Sequence, residues 1–167
     1  MPGGEWEAVG AGLHLNHPCG LSCAQQPARL AVADCYNNRV GVCPLPSIGR
    51  EAAADVSWSS CALSHPTGVC WSRDSSSIAV ADFDSGRVLW LRGESLEVEA
   101  QVALDAAQGR RSWAYDVEHV GQDGAGGLWV VTDSVSSRVL LLHRDARVRN
   151  GCPVAASASM MPAPSPQ

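Results

Sequence analysis

The sequence repeats one pattern, and this repetition limits the possible folds more than any other feature. A Pro-x-Gly segment leads through a short apolar run to an aspartate, and Arg-Val follows after four further residues. The pattern occurs at His17–Cys43 and again at His65–Leu91, so the equivalent residues Asp34 and Asp82 are 48 positions apart. Because such a fixed period is typical of proteins built from one repeated supersecondary unit, we expect a repeat architecture.

A looser third copy extends the repeat to Trp113–His143. Its aspartate, Asp133, lies 51 positions after Asp82, and the extra residues fit in a Gly-rich turn at 121–127, where insertions are easily tolerated. Ala114-Tyr115-Asp116 stands where the first two copies have Pro-x-Gly. The three copies together cover residues 17–143.

Each copy has the pattern of a small antiparallel sheet. The runs Leu30–Ala33 and Ile78–Ala81 are apolar and bounded by turn-forming residues, which is typical of buried strands. Each is followed by a tight turn and a return strand, and a first strand follows the Pro-x-Gly segment. Weaker fourth strands are predicted between copies, at 55–59 and 96–104. Four antiparallel strands in about 45 residues predict an all-β chain of β-propeller blades.

The first copy resembles a known repeat family. The run from Ala31 to Val40, AVADCYNNRV, is similar to the NHL repeat, and the second copy keeps Val80-Ala81-Asp82 and Arg87-Val88. The resemblance implies a six-bladed propeller. Because the chain has 167 residues, we predict about three NHL-type blades, half of such a ring. We expect a fragment, a truncated form of a longer propeller, or one half of an assembly.

Three regions follow from this division. Residues 1–16 are predicted to be an N-terminal segment, and one alternative is that they form the outer strand of a preceding blade. Residues 17–143 are predicted to hold the three blades. Residues 144–167 contain arginines and then mainly Pro, Ala and Ser, so a disordered tail is predicted there. Half a ring leaves two blade flanks bare, and we expect self-association through these open edges.

The aspartate and arginine that close each apolar run recur in all three copies. An aspartate at a strand end can accept hydrogen bonds from the following turn, and the arginine begins the return strand. A ring of charge for a ligand is the functional alternative, but recurrence favours a structural role within each hairpin. The pairs are Asp34/Arg39, Asp82/Arg87 and Asp133/Arg138.

Composition and charge exclude several classes of protein. The sequence contains no run of about 20 apolar residues, so no membrane span is predicted. The N-terminal residues do not have the pattern of a signal peptide. We therefore predict a cytoplasmic protein without a membrane partner. The net charge of −5 argues against a general phosphate-binding surface, so RNA binding is disfavoured although possible through an arginine-rich face.

The cysteines and histidines do not form a recognisable metal or disulfide pattern. The seven cysteines are odd in number and include no Cys-x2-Cys pair, so a disulfide framework is not expected. Cys23, Cys43 and Cys70 fall in predicted strands, where cysteine acts as a small apolar residue. His17 and His65 recur before proline and are predicted to serve the blade. We predict no metal site and no cofactor.

The family resemblance implies three classes of function. NHL propellers form the substrate-recruiting part of RING-type ubiquitin ligases in the malin and tripartite-motif groups. Some bind RNA, and similar propellers include amidating lyases and lactonases. A protein-interaction module related to protein ubiquitination is the first prediction, ahead of an RNA-binding propeller and a lyase- or lactonase-like fragment. The sequence contains no RING domain. In the similar enzymes the catalytic site lies at the central channel of a closed propeller, and half a propeller could not assemble it. The chain is therefore predicted not to be an enzyme.

A candidate binding surface follows from the residues that differ between copies. In a four-stranded blade, the loop between the second and third strands lies on the same face as the link to the next blade. Aromatic and arginine residues on one such face are typical of binding hot spots. The alternative is that Trp113 and Tyr115 fill the space between blades 2 and 3. The predicted binding residues are Tyr36, Phe83, Arg110, Arg111, Trp113 and Tyr115.

Overall fold

The computed structural model describes residues 11–45, 56–104, 112–121, 127–144 and 157–160. These residues form three antiparallel sheets of four strands each, with short 3-10 turns and without an α-helix. The predicted all-β chain of three propeller blades is therefore confirmed. None of the described residues belongs to a helix long and apolar enough to span a bilayer.

The strands follow one another in sequence order within each blade. The strands of blade 1 are β1 (Pro18–Gln25), β2 (Ala28–Asp34), β3 (Arg39–Pro44) and β4 (Ser57–Trp58). Those of blade 2 are β5 (Pro66–Trp71), β6 (Ser77–Asp82), β7 (Arg87–Arg92) and β8 (Val98–Ala103). Those of blade 3 are β9 (Ala114–Gly121), β10 (Leu128–Asp133), β11 (Arg138–His143) and β12 (Ser157–Met160). The first strands contact one another from blade to blade, β1 against β5 and β5 against β9, and we call them the inner strands.

Two apolar layers join the three blades. The middle strand of blade 2, β6, is buried along its whole length, and its side chains alternate between the layers as strand geometry requires. Ile78 and Val80 pack toward blade 1, whereas Ala79 and Ala81 pack toward blade 3. Small residues face blade 3 because the indole rings of Trp90 and its neighbour Trp129 fill that layer, with centroids 6.1 Å apart.

The glycine of each Pro-x-Gly segment permits neighbouring inner strands to approach closely. A Cβ added to Gly20 would lie 2.5 Å from the carbonyl oxygen of Thr67, and one added to Gly68 would lie 2.7 Å from the Cα of Asp116. Backbone atoms cannot yield as the end of a side chain can, so a larger residue would separate the blades. The glycine thus serves packing between repeats. Asp116 occupies the equivalent position in blade 3.

The C-terminal prediction requires a correction. Ser157–Met160 lies in the segment predicted to be disordered, yet it pairs with β11 as the outer strand of blade 3. An outer strand is held by backbone hydrogen bonds, so it can form without the apolar alternation that sequence reading looks for. Arg144 was also assigned to the tail, but its guanidinium donates to Ser77 and Glu99 of blade 2. Residues 145–156 and 161–167 lie outside the described residues.

The described part of the N-terminal segment is not a strand. Residues 11–16 contain a 3-10 turn at Ala11–Leu13. The carbonyl oxygens of Leu13 and His14 accept hydrogen bonds from Arg39 and Asn37 of blade 1. The proposed strand of a preceding blade would involve residues 1–10, which lie outside the described residues.

Candidate functional site

Each repeated aspartate forms the same ion pair, between a buried carboxylate and a partly exposed arginine. The distances from arginine Nε to carboxylate Oδ2 are 2.7 Å for Asp34, 2.7 Å for Asp82 and 2.9 Å for Asp133. The three carboxylates are at most 1% exposed. Within each hairpin the aspartate and arginine are directly opposite each other across the two strands. The hairpin loop is therefore closed by the same electrostatic contact in every blade.

The ion pairs also hold the chain segment that enters each blade. The aspartates accept hydrogen bonds from backbone N–H groups just before the inner strands: those of Asn16, Ser64 and Trp113. Arg39 and Arg87 donate to carbonyl oxygens of the same segments, those of Leu13 and Ala62. Arg138 donates to the Ser112 hydroxyl just before β9 and to the carbonyl oxygen of Leu104 at the end of blade 2. Because every entering segment is tied to a hairpin loop, the residue before each inner strand has a defined place. These residues are His17, His65 and Trp113.

Hydrogen bonding keeps the carboxylates of Asp34 and Asp133 ionised. Burial alone would raise the pKa of Asp34, but a backbone N–H, Asn37 and Arg39 donate to it and hold its pKa below the ordinary value. Burial likewise opposes ionisation of Asp133, and hydrogen bonds from the Trp113 N–H, Ser112 and Arg138 again lower the pKa. Their lone pairs are used within the blade, so these groups act as scaffold rather than as acids or bases.

A register shift near the start of each inner strand changes how the next side chain is directed. In blade 2, Pro66 pairs with Asp82 and Gly68 with Ala81, which leaves Thr67 without a cross-strand partner. In blade 3 the same shift leaves Tyr115 unpaired. Bulges of this kind re-aim side chains and are frequent at binding sites. Tyr115 is 56% exposed.

We call the end of the blades that carries the hairpin loops and the entering segments the hairpin rim. Its loops are Cys35–Asn38, Phe83–Gly86 and Ser134–Ser137. Two aromatic clusters lie on it. The first cluster, at the boundary of blades 1 and 2, stacks His17 on Tyr36 at 4.3 Å between centroids and places His65 at 5.3 Å from Tyr36. His65 Nδ1 is also in hydrogen-bonding contact with the carboxylate of Asp84.

The second cluster lies at the boundary of blades 2 and 3. The ring of Phe83 is 5.1 Å from that of Trp113 and 6.0 Å from that of Tyr115. Phe83 is half-buried, whereas Trp113 is 38% exposed. The phenyl ring therefore supports two larger rings that remain in contact with solvent.

The structure describes four of the six residues predicted to bind a partner. Phe83, Trp113 and Tyr115 meet in the second cluster, and Tyr36 lies in the first cluster. Arg110 and Arg111 lie outside the described residues. Trp113 and Tyr115 contact Phe83 across the boundary of blades 2 and 3 and also reach solvent, at 38% and 56% exposure.

Sequence reading did not assign the histidines of the first cluster to this surface. His17 and His65 were interpreted as residues that serve the blade, because they recur. The useful signal was their position: each occupies the place of Trp113, directly before an inner strand, and this place faces the hairpin rim. Recurrence therefore did not separate scaffold from surface here.

The opposite end of blades 1 and 2 has a cavity of about 370 Å³. Its wall includes Cys23, Trp71, Arg73 and Asp74. No group of three or more His, Cys, Asp or Glu side chains in the described residues is placed to hold a metal ion.

The cysteines of the described residues are free thiols. Burial is the main cause that raises the pKa of both Cys35 and Cys70 to about 11. A thiol that is protonated at neutral pH is a poor nucleophile. Of the three cysteines predicted to act as small apolar residues, Cys43 and Cys70 are buried, whereas Cys23 is exposed and the prediction is wrong for it.

Comparison with solved structures shows the fold. The crystal structure of the Cps50 (Swd1) β-propeller domain of Myceliophteria thermophila superposes with a TM-score of 0.61 at 14% sequence identity. The alignment covers 88% of this chain and 40% of that domain, so the chain spans less than half of the propeller that it matches. No family model matches the chain, and no curated protein matches it. At this identity the likeness establishes a β-propeller arrangement, and the NHL resemblance remains a prediction.

Proposed function

We propose that the chain is a non-catalytic protein-interaction module that recruits a protein partner through its hairpin rim. The observation that carries the proposal is the second aromatic cluster, in which Trp113 and Tyr115 are 38% and 56% exposed. Tryptophan and tyrosine are enriched in the residues that dominate binding energy at protein interfaces. Their large rings bring much contact area with few rotatable bonds.

The scaffold below the cluster supports this proposal. The backbone N–H of Trp113 donates to the buried carboxylate of Asp133 at 3.0 Å, and the carbonyl oxygen of Tyr115 accepts a hydrogen bond from Thr67 at 2.5 Å. Both residues are thus attached at the backbone while their rings face solvent. A binding surface that is rigid before the partner arrives loses less conformational entropy on binding.

The family resemblance supplies a more specific form of the proposal. If the chain acts as NHL propellers of RING-type ligases do, the recruited protein is a substrate for ubiquitination, and the RING comes from another segment or another chain. Arg110 and Arg111, which precede Trp113 closely in sequence, belong to the same proposed surface. RNA binding and a lyase- or lactonase-like activity are the other functions that the resemblance implies, and no contact in the described residues favours either of them.

Affinity capture with matched variants tests the proposal. The tagged chain, a Trp113→Ser/Tyr115→Ser rim variant and a Leu21→Ser/Val98→Ser control would be used to recover proteins from lysate, with and without ribonuclease. Leu21 and Val98 are also exposed, at 65% and 42%, but do not belong to either rim cluster. Quantitative mass spectrometry compares the three baits.

We expect proteins that the parent and the control recover and the rim variant does not. Recovery should survive ribonuclease. Equal recovery by the rim variant and the control would refute the proposed surface, and loss on ribonuclease treatment would favour RNA as the ligand. For a recovered protein, reduced ubiquitination after depletion of the chain would be the expected sign of a ligase role.

A further inference from the structure

Two cysteines of blade 1 lie side by side where the inner strand meets the hairpin loop. Cys19 is the second residue of β1 and is exposed, whereas Cys35 begins the hairpin loop and is buried. Their side chains are in hydrogen-bonding contact, and both are free thiols. The two sulfur atoms are therefore neighbours before any bond forms between them.

The backbone around the two cysteines explains this contact. Pro18 pairs with Asp34 across β1 and β2, and the register shift that follows leaves Cys19 outside the paired register. Bulges of this kind re-aim side chains. The thiol of Cys19 turns back along the chain and donates to the carbonyl oxygen of His17 at 3.4 Å. Its sulfur is thus directed toward the start of the hairpin loop, where Cys35 follows Asp34 directly.

The blade itself does not require two thiols at these places. The equivalent positions hold Thr67 and Phe83 in blade 2, and Tyr115 and Ser134 in blade 3. Both of those blades form the same hairpin, closed by the same aspartate and arginine, without a cysteine pair. The contact between thiols is therefore specific to blade 1, and its explanation lies in what two neighbouring thiols can do.

We propose that Cys19 and Cys35 form a reversible disulfide when the protein is exposed to hydrogen peroxide. The inference is independent of the proposed function, because it concerns a modification of blade 1 and needs no partner protein. The cross-link joins the segment that enters blade 1 to the hairpin loop. These are the same two segments that Asp34 joins through hydrogen bonds from the Asn16 N–H and from Asn37.

The reaction has two steps, and its atoms and electrons balance. The exposed sulfur of Cys19 attacks one peroxide oxygen and the O–O bond breaks, which gives a sulfenic acid and one water. The sulfur of Cys35 then attacks the sulfenic sulfur, and the hydroxyl group leaves with the thiol proton as a second water. The two sulfurs lose two electrons and the peroxide gains them. Two molecules of a small thiol reverse the reaction and become a disulfide themselves.

Contact between the two sulfurs is what makes the second step possible. Burial, together with the contact with Cys19, raises the pKa of Cys35 to about 11. The thiol of Cys35 is therefore mainly protonated at neutral pH, which slows its attack. Reacting groups that are held together gain a high effective concentration, and this gain offsets the small thiolate fraction.

Peptide mapping without reduction tests the proposal. The full chain is first reduced, then treated with hydrogen peroxide, alkylated and digested with trypsin, which cleaves after arginine. Cleavage after Arg29 separates Cys35 from Cys19 and Cys23. Cys23→Ser is the matched control for Cys19→Ser, because both residues are exposed cysteines of β1. A mixture of isotope-labelled and unlabelled chains distinguishes a cross-link within one chain from a cross-link between two chains.

We expect the parent and Cys23→Ser to give a cross-linked peptide pair that contains Cys35, with both peptides labelled or both unlabelled. Cys19→Ser should lose this pair, and dithiothreitol should release the two peptides. Absence of the cross-link in the parent, its persistence in Cys19→Ser, or a pair that mixes labelled and unlabelled peptides would each overturn the inference.

Urea unfolding of the oxidised protein, before and after reduction with dithiothreitol, measures whether the bond fits the native fold. The cross-link encloses residues 20–34, and closing a loop of about 15 residues stabilises a protein by constraining its unfolded chain. The urea midpoint of the parent should therefore be about 1–3 M higher before reduction, whereas reduction should not change that of Cys19→Ser. An equal or lower midpoint in the cross-linked parent would overturn the claim that the two thiols are already placed for the bond.

Discussion

Substitution of Asp82 by alanine should destabilise the protein strongly, because this carboxylate is fully buried and accepts two short hydrogen bonds. The donors are the Ser64 N–H at 2.6 Å and Arg87 Nε at 2.7 Å. Hydrogen bonds to a charged group contribute about 1.5–3 kcal/mol each, which gives an upper range of about 3–6 kcal/mol. Arg87 keeps other acceptors, Ala62 O and the Gln101 side chain, and its side chain is 26% exposed. We therefore expect the lower end, a loss of about 3 kcal/mol.

Urea unfolding followed by tryptophan fluorescence measures this loss. With an m-value of about 1–3 kcal/mol per M, the midpoint should fall by about 1–3 M. Glu97→Ala is the matched control, because Glu97 pairs with Arg92 at 3.1 Å but its side chain is 65% exposed. Such surface pairs contribute about 0–1 kcal/mol. If both variants shift the midpoint equally, the claim that buried pairs hold the hairpins is wrong.

Three further predictions test the packing, the charges and the open flanks. Gly68→Val should lower the urea midpoint because the next backbone lies 2.7 Å from the added Cβ, whereas Gly121→Ala, with nothing within 4 Å, should not; equal midpoints would contradict the packing argument. Because the pKa values of Asp34 and Asp133 are lowered in the folded state, their stabilising effect is present above the ordinary pKa of 3.8 and is lost as pH falls through the lower folded-state pKa. The urea midpoint should therefore drop in acid, and a urea midpoint unchanged down to about pH 2 would contradict this. The isolated chain should self-associate through its blade flanks, where Val139 is 46% exposed, and a concentration-independent 17.5 kDa species in sedimentation velocity would argue against it.

The hairpins could be predicted from sequence because their determinants are local. The pair Asp82 and Arg87 closes a turn of four residues, and the apolar run before it is buried in the structure as expected. The same pattern located the second and third strands of every blade. Turn chemistry and strand burial depend on residues within about ten positions of one another. The repeat shows the same local pattern three times, so these features can be recognised in the sequence.

Contacts between blades could not be predicted in the same way. Phe83 and Trp113 are 30 positions apart, and their contact depends on how two sheets pack rather than on any local pattern. The repeat pattern alone does not show why glycine follows in each Pro-x-Gly segment, whereas in the structure backbone atoms of the neighbouring blade require Gly20 and Gly68. The outer strand Ser157–Met160 was missed because backbone pairing needs no particular side chains.

Hydroxyl-radical footprinting with mass spectrometry tests the central claim, that the hairpin rim is the binding surface, most directly. The method reports side-chain exposure. In the free chain Trp113 and Tyr115 should therefore be oxidised and Trp90, which is 0% exposed, should not. With a captured partner bound, oxidation of Trp113 and Tyr115 should fall while that of Leu21, at 65% exposed, is unchanged. Protection of Leu21 with Trp113 and Tyr115 still oxidised would contradict the account.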